Sequence, residues 1–219
     1  YGGTVNNCTI ARNSGGYGGG TSGGTVSNCL ILGNSARATG GGTRYGTVNN
    51  CFIIGNSART YGGGTSYGTV NNCLITGNSA NNGGGTYTGT INNCTITANY
   101  ATNAGGGTFN SVLRNCIVWE NSAQSSPNWT NTSSVRIVYS CTDPLPPDPG
   151  NINANPMFLN APAGNFRLQE GSPCIDQGAN VVAPMPFDLD GNPRIFNGVV
   201  DMGAYEFIPE PSLCLLVAV

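Results

Sequence analysis

The phrase GTVNNCFIIGNSA at residues 46–58 returns as GTVNNCLITGNSA at residues 68–80, and altered copies fill much of the first 120 residues. It brings a cysteine every 21 or 22 residues, at Cys8, Cys29, Cys51, Cys73, Cys94 and Cys116. Helical repeat proteins use longer units, whereas this unit is rich in β-branched residues, Asn and Gly. The spacing therefore predicts an all-β chain in which each unit forms one coil of a parallel β-helix, with six to seven coils in all.

Two apolar columns define the expected interior of the coil. One lies three residues before each cysteine and the other two residues after it, as Val48 and Ile53 illustrate. The second column has the parity of the cysteine and the first does not, so a turn must separate them. The residues between Val48 and Cys51, both Asn in most copies, are expected to form that turn.

Two asparagine columns are the most uniform feature of the repeat. One stands immediately before the cysteine, at Asn7, Asn28, Asn50, Asn72, Asn93 and Asn115. The other stands five residues after it, at Asn13, Asn34, Asn56, Asn78, Asn99 and Asn121. Asn tolerates bent backbone conformations, and amides stacked at the strand spacing can hydrogen-bond along the axis. We predict that both columns form amide ladders.

The repeat weakens after residue 119. VRIVYSCT at residues 135–142 keeps Val138 and Cys141 but has Ser140 in the position of the asparagine, so we expect the ladders to stop there. A Pro-rich boundary follows at 143–150. These changes predict a β-helix at 1–142, a loop-rich region at 143–207 that packs on it, and an apolar tail at 208–219. The chain begins inside a repeat, and we interpret it as an excerpt of a longer protein or a processed product.

The six column cysteines are interpreted as small buried hydrophobic residues. Disulfides between neighbouring coils are one alternative, although parallel side chains point the same way. A metal site is another, although the chain lacks a CxxC pair and His. Cys174 and Cys214 lie outside the column and are candidates to pair with each other.

The composition argues against the chemistry of polysaccharide-cleaving β-helices. The chain has no His and no Lys, and residues 1–119 contain no Asp or Glu. Glycoside hydrolysis usually needs two carboxylates, and a lyase needs a base. We therefore expect no enzymatic activity and no cofactor. The net charge of −2 gives no reason to expect nucleic acid as a partner.

Aromatic side chains offer candidate binding residues. Tyr45 and Tyr67 occupy one column of the repeat. Trp129 lies in AQSSPNWTNTSS at residues 123–134, which we interpret as a polar loop with Trp129 at its tip. Aromatic rings on a flat β surface can bind sugar rings, so these three residues are the candidate glycan contacts. Ordinary stacking of surface aromatics is the alternative.

Several motifs resemble those of known families. The paired phrases GGGT and CxIxGNSA resemble the repeats of bacterial polymorphic outer-membrane proteins. NFRLQEGSPCIDQG at 165–178 and the pattern DxDGxxR…DxGAYE at 188–206 resemble the C-terminal region of choice-of-anchor Q proteins, which are bacterial right-handed parallel β-helix proteins. PEPSLCLLVAV at 209–219 resembles the start of a PEP-type C-terminal sorting signal. The resemblance implies a right-handed coil, an extracellular or cell-surface location on a bacterium, and membrane contact only through an anchor that this tail lacks.

Acidic residues of the second motif accompany one arginine. Asp188, Asp201 and Glu206 with Arg194 match the family motif, and we expect a buried network that locks the last segment against the rod. Asp188 and Asp190 also look like half of a calcium loop, a weak alternative because the remaining ligands are missing.

These observations favour a non-catalytic extracellular solenoid with a structural or adhesive role. A β-helix end invites pairing unless it is capped, so head-to-tail self-association into fibres is one expected mode of partnership. Surface glycans are the other expected partner. The alternative is a polysaccharide-binding or polysaccharide-cleaving protein of the pectin-lyase-like class.

Overall fold

The computed structural model describes residues 2–131, 136–183 and 185–210. It is an all-β parallel solenoid of about six turns with about 22 residues per turn, which confirms the predicted fold class. Four strands of each coil stack on the same four strands of the next coil, so that four parallel sheets run along the rod. In the described ranges the helical residues form two 3-10 turns, Ala161–Ala163 and Asn180–Val182.

The first and second sheets carry the apolar columns. The strands of the first sheet are Thr4–Asn6, Thr25–Ser27, Thr47–Asn49, Thr69–Asn71, Thr90–Asn92, Val112–Arg114 and Ile137–Val138. The strands of the second sheet are Thr9–Ala11, Leu30–Leu32, Phe52–Ile54, Leu74–Thr76, Thr95–Thr97, Ile117–Trp119 and Cys141–Thr142. Equivalent residues pair in register, as in Val48 with Val70 and Ile53 with Ile75, so both predicted columns stack inside the rod.

The third and fourth sheets close each coil. The strands of the third sheet are Ser14–Gly15, Ser35–Ala36, Ser57–Ala58, Ser79–Asn82, Tyr100–Ala104 and Ser122–Ser125. The strands of the fourth sheet are Thr21–Ser22, Thr43–Arg44, Thr65–Ser66, Thr86–Tyr87, Thr108–Phe109 and Trp129–Thr130. The third glycine of each GGGT phrase lies where neighbouring backbones approach closely. A Cβ on Gly64 would meet the carbonyl oxygen of Gly85 at 2.6 Å.

The turn between the first and second sheets explains the asparagine before each cysteine. That residue has a positive φ in all six coils, for example +50° at Asn50 and +52° at Asn115. Asn visits this left-handed region more readily than most residues because its short polar side chain can hydrogen-bond locally. The turn that the change of parity predicted is therefore present, and its backbone conformation accounts for the residue type.

The seventh turn differs from the prediction by one residue. Ile137, and not Val138, pairs with Leu113 and continues the first apolar column. Ser140 takes the position of the column cysteine, since its Oγ accepts the N–H of Cys116 at 3.1 Å. Cys141 pairs with Ile117 and belongs to the outward face of the second sheet. The motif VYSC looked like a worn copy of VNNC, but pairing follows the apolar residue and not the cysteine.

The region after the rod packs on the outer face of the second sheet. It contains one antiparallel pair, Phe158–Asn160 with Asn165–Leu168. Phe166 and Tyr205 pack on Leu74 of the rod, and the Gly203 N–H donates to the Asn115 carbonyl at 2.8 Å. Among the described residues, no helix has the length and apolar character that a membrane span requires. Most of the predicted apolar tail, residues 211–219, lies outside the described residues, as does Cys214.

Candidate functional site

The asparagines five residues after each cysteine form a continuous amide ladder, as predicted. The Asn56 Nδ2 donates to Asn78 Oδ1 at 3.0 Å and to the Ile31 carbonyl at 2.9 Å. The Asn56 backbone N–H donates to the same Asn78 oxygen at 2.9 Å. Asn56 and Asn78 are fully buried, so the ladder satisfies polar groups that water cannot reach. The equivalent amide bonds join Asn13, Asn34, Asn56, Asn78, Asn99 and Asn121 in sequence.

Asn128 ends this ladder at the C-terminal side. Its Oδ1 accepts both the backbone N–H and the Nδ2 of Asn121, each at 3.1 Å. Its own Nδ2 donates to the Asp143 carbonyl at 2.9 Å. Asn128 occupies the position that the third glycine of GGGT holds in earlier coils, beside Gly107. The sequence analysis missed this cap because Asn128 stands twelve residues after Cys116, whereas the other ladder asparagines stand five residues after their cysteines.

The prediction of a second ladder in the column before the cysteine is wrong. Among the described residues, neither amide atom of Asn93 has a hydrogen-bond partner. Asn72 Nδ2 donates to the Phe187 carbonyl at 2.6 Å, and Asn115 exchanges two hydrogen bonds with the Ala179 backbone. These amides therefore fasten the C-terminal region to the rod. In the described part of the chain, no amide–amide hydrogen bond joins the stacked members of this column, which are Asn7, Asn28, Asn50, Asn72, Asn93 and Asn115.

A shorter second ladder lies one residue earlier in the repeat. Asn92 Nδ2 donates to Asn71 Oδ1 and Asn71 Nδ2 donates to Asn49 Oδ1, both at 2.8 Å. These residues end the strands of the first sheet, where stacked side chains point the same way. The doubled asparagine in VNNC is therefore one ladder residue followed by one turn residue.

The column cysteines line the interior beside the ladder. Cys51 Sγ donates to the Asn49 carbonyl at 3.1 Å and accepts the Cys29 N–H at 3.3 Å. From Cys29 to Cys116 the column is buried, whereas Cys8 in the first coil is exposed. Burial raises the pKa of the Cys73 and Cys116 thiols, so these thiols stay protonated at neutral pH and are poor nucleophiles. The column cysteines, from Cys8 to Cys116, are free thiols.

Arg194 is the largest fully buried side chain of the C-terminal region. Its Nη2 donates to the carbonyls of Asp201 and Gly203 at 2.8 and 2.7 Å. Its Nη1 lies 4.0 Å from Glu206 Oε2. The structure thus brings Arg194 close to the predicted acidic residues, although its short contacts are with backbone oxygens. Burial lowers the pKa of Arg194, with the nearby carboxylates opposing that effect.

The carboxylates of this network bind backbone N–H groups. Glu206 accepts the N–H groups of Phe196 and Asp201 at 2.9 and 3.2 Å. Asp201 accepts those of Asp176 and Phe207 at 2.7 and 2.6 Å. Burial raises the pKa of Glu206 to about 7 and also raises that of Asp201, because a dry environment disfavours charge. The network therefore orders loops that have no sheet partners.

Asp188 and Asp190 do not share a calcium site. Asp188 Oδ1 accepts the N–H groups of Asp190 and Asn192 at 2.9 and 2.8 Å, and its Oδ2 accepts that of Glu206. Asp190 instead forms a two-pronged ion pair with Arg167, at 2.5 and 2.6 Å. Within the described residues, no three acidic, Cys or His side chains are grouped to hold a metal ion. The half calcium loop is better explained as a tight turn that Asp188 stabilises.

An aromatic stripe crosses five coils on the fourth sheet and its edges. It consists of Tyr17, Tyr45, Tyr61, Tyr67, Tyr87 and Phe109, together with Arg44. The centroids of Tyr45 and Tyr67 lie 5.5 Å apart, and those of Tyr67 and Tyr87 lie 5.4 Å apart. The Arg44 guanidinium lies 4.2 Å from the Tyr45 ring centroid and 4.7 Å from that of Tyr17. The structure thus brings together two of the three predicted aromatic residues.

Tyr45 and Tyr67 adopt an unusual backbone conformation. Their φ angles are +58° and +59°, a region that bulky side chains rarely occupy. The equivalent residues of other coils are Gly23, Thr88 and Asn110, all with a positive φ. Gly and Asn suit this conformation, whereas Thr and Tyr do not. Tyrosine at this position therefore carries backbone strain, of the order of 1 kcal/mol. The two side chains are 45% and 37% exposed, so burial does not offset that strain fully.

Trp129 does not stand at a loop tip, and that prediction is wrong. It lies in a strand of the fourth sheet, where it pairs with Thr108. Its side chain is half-buried and packs against the main core, and its Nε1 donates to the Pro144 carbonyl at 2.9 Å. The described part of the polar stretch, residues 123–131, continues the coil. Trp129 is therefore a packing residue beside the boundary with the C-terminal region.

A shallow groove adjoins the stripe. It has a volume of about 510 Å³ and runs between the fourth and first sheets, lined by Tyr67, Thr69, Thr88, Thr90 and neighbouring glycines. A comparison with models of known protein families gives no match. A comparison with curated proteins also gives no match. The case for a function therefore depends on the stripe and on the residues around it.

Proposed function

We propose that this protein is a non-catalytic extracellular solenoid that binds polysaccharide along the aromatic stripe. The observation that carries the proposal is the pair of exposed tyrosines, Tyr45 and Tyr67, held in a left-handed backbone conformation. Strain of this kind is retained where a side chain serves a purpose other than folding. The third glycan candidate, Trp129, is not part of the proposed site.

The chemistry of the stripe suits a sugar chain. The C–H face of a pyranose ring packs on the face of an aromatic ring, and the hydroxyl of tyrosine remains free to bond at the edge. Several rings along one axis offer repeated contacts to a repeating polymer, and the groove beside them offers threonine hydroxyls and backbone groups.

The charge of the stripe favours an acidic polysaccharide. Arg44 lies against three of its rings, and residues 1–119, which contain the entire stripe, have no Asp or Glu to neutralise it. A guanidinium recognises a carboxylate or sulfate group in a planar, two-pronged geometry. The same composition is the reason for proposing binding without cleavage, because glycoside hydrolysis usually needs two carboxylates and residues 1–119 contain none.

The location and the wider role remain part of the proposal. The resemblance to choice-of-anchor Q and polymorphic outer-membrane proteins supports secretion to a bacterial surface, where a rod that binds glycans would serve adhesion. The sorting signal, the right hand of the coil and head-to-tail assembly into fibres stay predictions.

A double substitution, Tyr45→Asn with Tyr67→Asn, tests the site. We expect at least a tenfold loss of affinity for polygalacturonate or alginate in affinity electrophoresis, with no fall in Tm because Asn suits the positive φ. Tyr100→Ala is the matched control, since Tyr100 is 50% exposed on the third sheet. Equal binding by the double variant would contradict the proposal. Release of new chain ends from the polysaccharide would contradict the non-catalytic role.

A further inference from the structure

Cys141 has left the interior column and faces the C-terminal region. The one-residue shift of the seventh turn pairs it with Ile117 on the outer face of the second sheet. There it belongs to a buried cluster with Leu168, Cys174 and Met202. Two cysteines of opposite origin, one from the rod and one from the region that covers it, thus meet in one apolar cluster.

The two residues share one buried environment. Both are fully buried and belong to the same apolar cluster, and the interaction with Cys174 lowers the pKa of the Cys141 thiol. Backbone contacts hold both residues in place. Cys174 N–H donates to Ser172 Oγ at 3.2 Å, the Cys174 carbonyl accepts the Met202 N–H at 3.0 Å, and Cys141 Sγ donates to the Ala154 carbonyl at 3.1 Å.

The column cysteines interact with one another as well, but in a different geometry. Neighbouring members, such as Cys51 and Cys73, come from in-register parallel strands, so their side chains point the same way and not toward each other. The sulfurs of Cys29, Cys51, Cys73 and Cys94 each accept the backbone N–H of the cysteine in the preceding coil at 3.3 Å. Cys141 and Cys174 approach from opposite sides of an interface, which is the relation that a disulfide needs.

We propose that Cys141 and Cys174 form a disulfide that fastens the C-terminal region to the rod. The bond would replace the pairing of Cys174 with Cys214 that the sequence left open. It would also distinguish one functional pair among cysteines that otherwise serve as packing residues. An extracellular location would favour such a bond, because disulfides persist in oxidising compartments.

The reaction is a thiol–disulfide exchange with a small-molecule disulfide such as oxidised glutathione. The Cys141 thiolate attacks one sulfur of glutathione disulfide, forming a mixed disulfide and releasing one glutathione thiolate, which takes up a proton. The Cys174 thiolate then attacks the Cys141 sulfur and releases the second glutathione. The two protein thiols lose two electrons and two protons, and two reduced glutathione molecules form. Since both residues are buried in the folded protein, the exchange takes place during folding, while the C-terminal region docks on the rod and before it is fully packed.

Peptide mapping gives a direct test because the chain contains few arginines and no lysine. Trypsin cleavage after Arg136, Arg167 and Arg194 separates peptide 137–167, whose one cysteine is Cys141, from peptide 168–194, whose one cysteine is Cys174. The full chain is refolded in a glutathione redox buffer, alkylated in denaturant and digested without reductant. We expect the two peptides to be joined, with a mass two hydrogens below their sum.

Thermal unfolding gives an independent readout. The bond closes a loop between residues 33 positions apart, so reduction should lower the Tm by about 5–15 °C. The Tm of Cys174→Ser should not respond to reductant, whereas that of Cys51→Ala should fall as in the parent. Free Cys141 and Cys174 in a folded, oxidised sample would overturn the proposal. Joined peptides that contain column cysteines instead would overturn it in favour of disulfides between coils.

Discussion

At the scale of single residues, the asparagine before each cysteine and the asparagine five residues after it are equally regular in sequence but have different structural roles. Asn56 lies in the interior and hydrogen-bonds to buried groups of the preceding coil and of the following coil. Asn50 lies in a turn and makes one long contact, 3.4 Å from its Nδ2 to the Asp188 carbonyl. Asn is therefore repeated in one column because it forms a ladder, and in the other because it suits the left-handed backbone conformation.

Substitutions at these two positions should differ sharply. Asn56→Ala removes the acceptor of the Asn34 N–H and the donor to the Ile31 carbonyl, and should lower the free energy of unfolding by about 3–5 kcal/mol. Asn50→Gly keeps the positive φ and should change it by less than about 1 kcal/mol. Urea unfolding followed by circular dichroism compares them. A larger loss for Asn50→Gly would show that the assignment of the ladder is wrong.

At the scale of elements, the coil could be predicted because its signals are repeated. Val48 and Ile53 recur with their neighbours in every coil, and parallel pairing in register follows when a single slip would expose the whole column. Asn128 could not be predicted, since it caps the ladder from an irregular stretch with no repeat to follow. The register of the seventh turn was predicted one residue out for a related reason. Cys141 matches the cysteine of the motif in sequence, but Ile137 occupies the apolar position that determines the strand pairing.

The stripe shows a second limit of sequence reasoning. Tyr45 and Tyr67 share a repeat position and could be matched. The other tyrosines of the stripe come from different positions of the repeat, and these are Tyr17, Tyr61 and Tyr87. They join the stripe only because the chain coils, which places Tyr87 between Tyr61 and Tyr67 and places Arg44 over Tyr17. Trp129 was misplaced because polar neighbours suggested a loop, although its strand pairing with Thr108 continues the fourth sheet.

The glycine corner gives a prediction at this scale. A Cβ at Gly64 would lie 2.6 Å from the Gly85 carbonyl oxygen and 3.2 Å from the Asn78 amide carbon, so neighbouring coils would have to separate. Gly64→Ala should lower the free energy of unfolding by about 3 kcal/mol or prevent folding. Gly16→Ala, whose Cβ would meet no atom within 4 Å, should leave it unchanged or slightly higher. Equal Tm values for both variants would contradict this account of the corner.

At the scale of the whole molecule, the buried acidic network decides how firmly the C-terminal region holds the rod. Glu206 and Asp201 order backbone that leads directly to Gly203 and Ala204, which bond to Asn115 and Thr95 of the rod. Stability of this interface is therefore linked to the protonation of a buried carboxyl group, that of Glu206.

This link predicts a pH dependence of definite sign. Burial raises the pKa of Glu206 from an ordinary 4.5 to about 7, so the folded state binds this proton more tightly than the unfolded state does. The resulting stabilisation is complete below about pH 4.5 and is lost as the pH rises toward 7, by about 2–3 kcal/mol. Glu206→Gln should abolish this component. The Tm of the parent and of the variant is measured from pH 4 to 8, and the difference between the two should change with pH. A difference that stays constant over this range would contradict the prediction.

The position of Asn128 at the C-terminal end of the ladder also implies an order in which the coils fold during synthesis. Each coil donates its amide hydrogens to the oxygen of the coil that follows, as Asn34 does to Asn56, so the buried donors of a coil stay unmet until the next coil has formed. Synthesis proceeds from the N-terminus, and Asn128 is the last acceptor to emerge. Order should therefore spread along the nascent chain one coil behind the ribosome, and a chain halted before residue 128 should keep its final coil frayed.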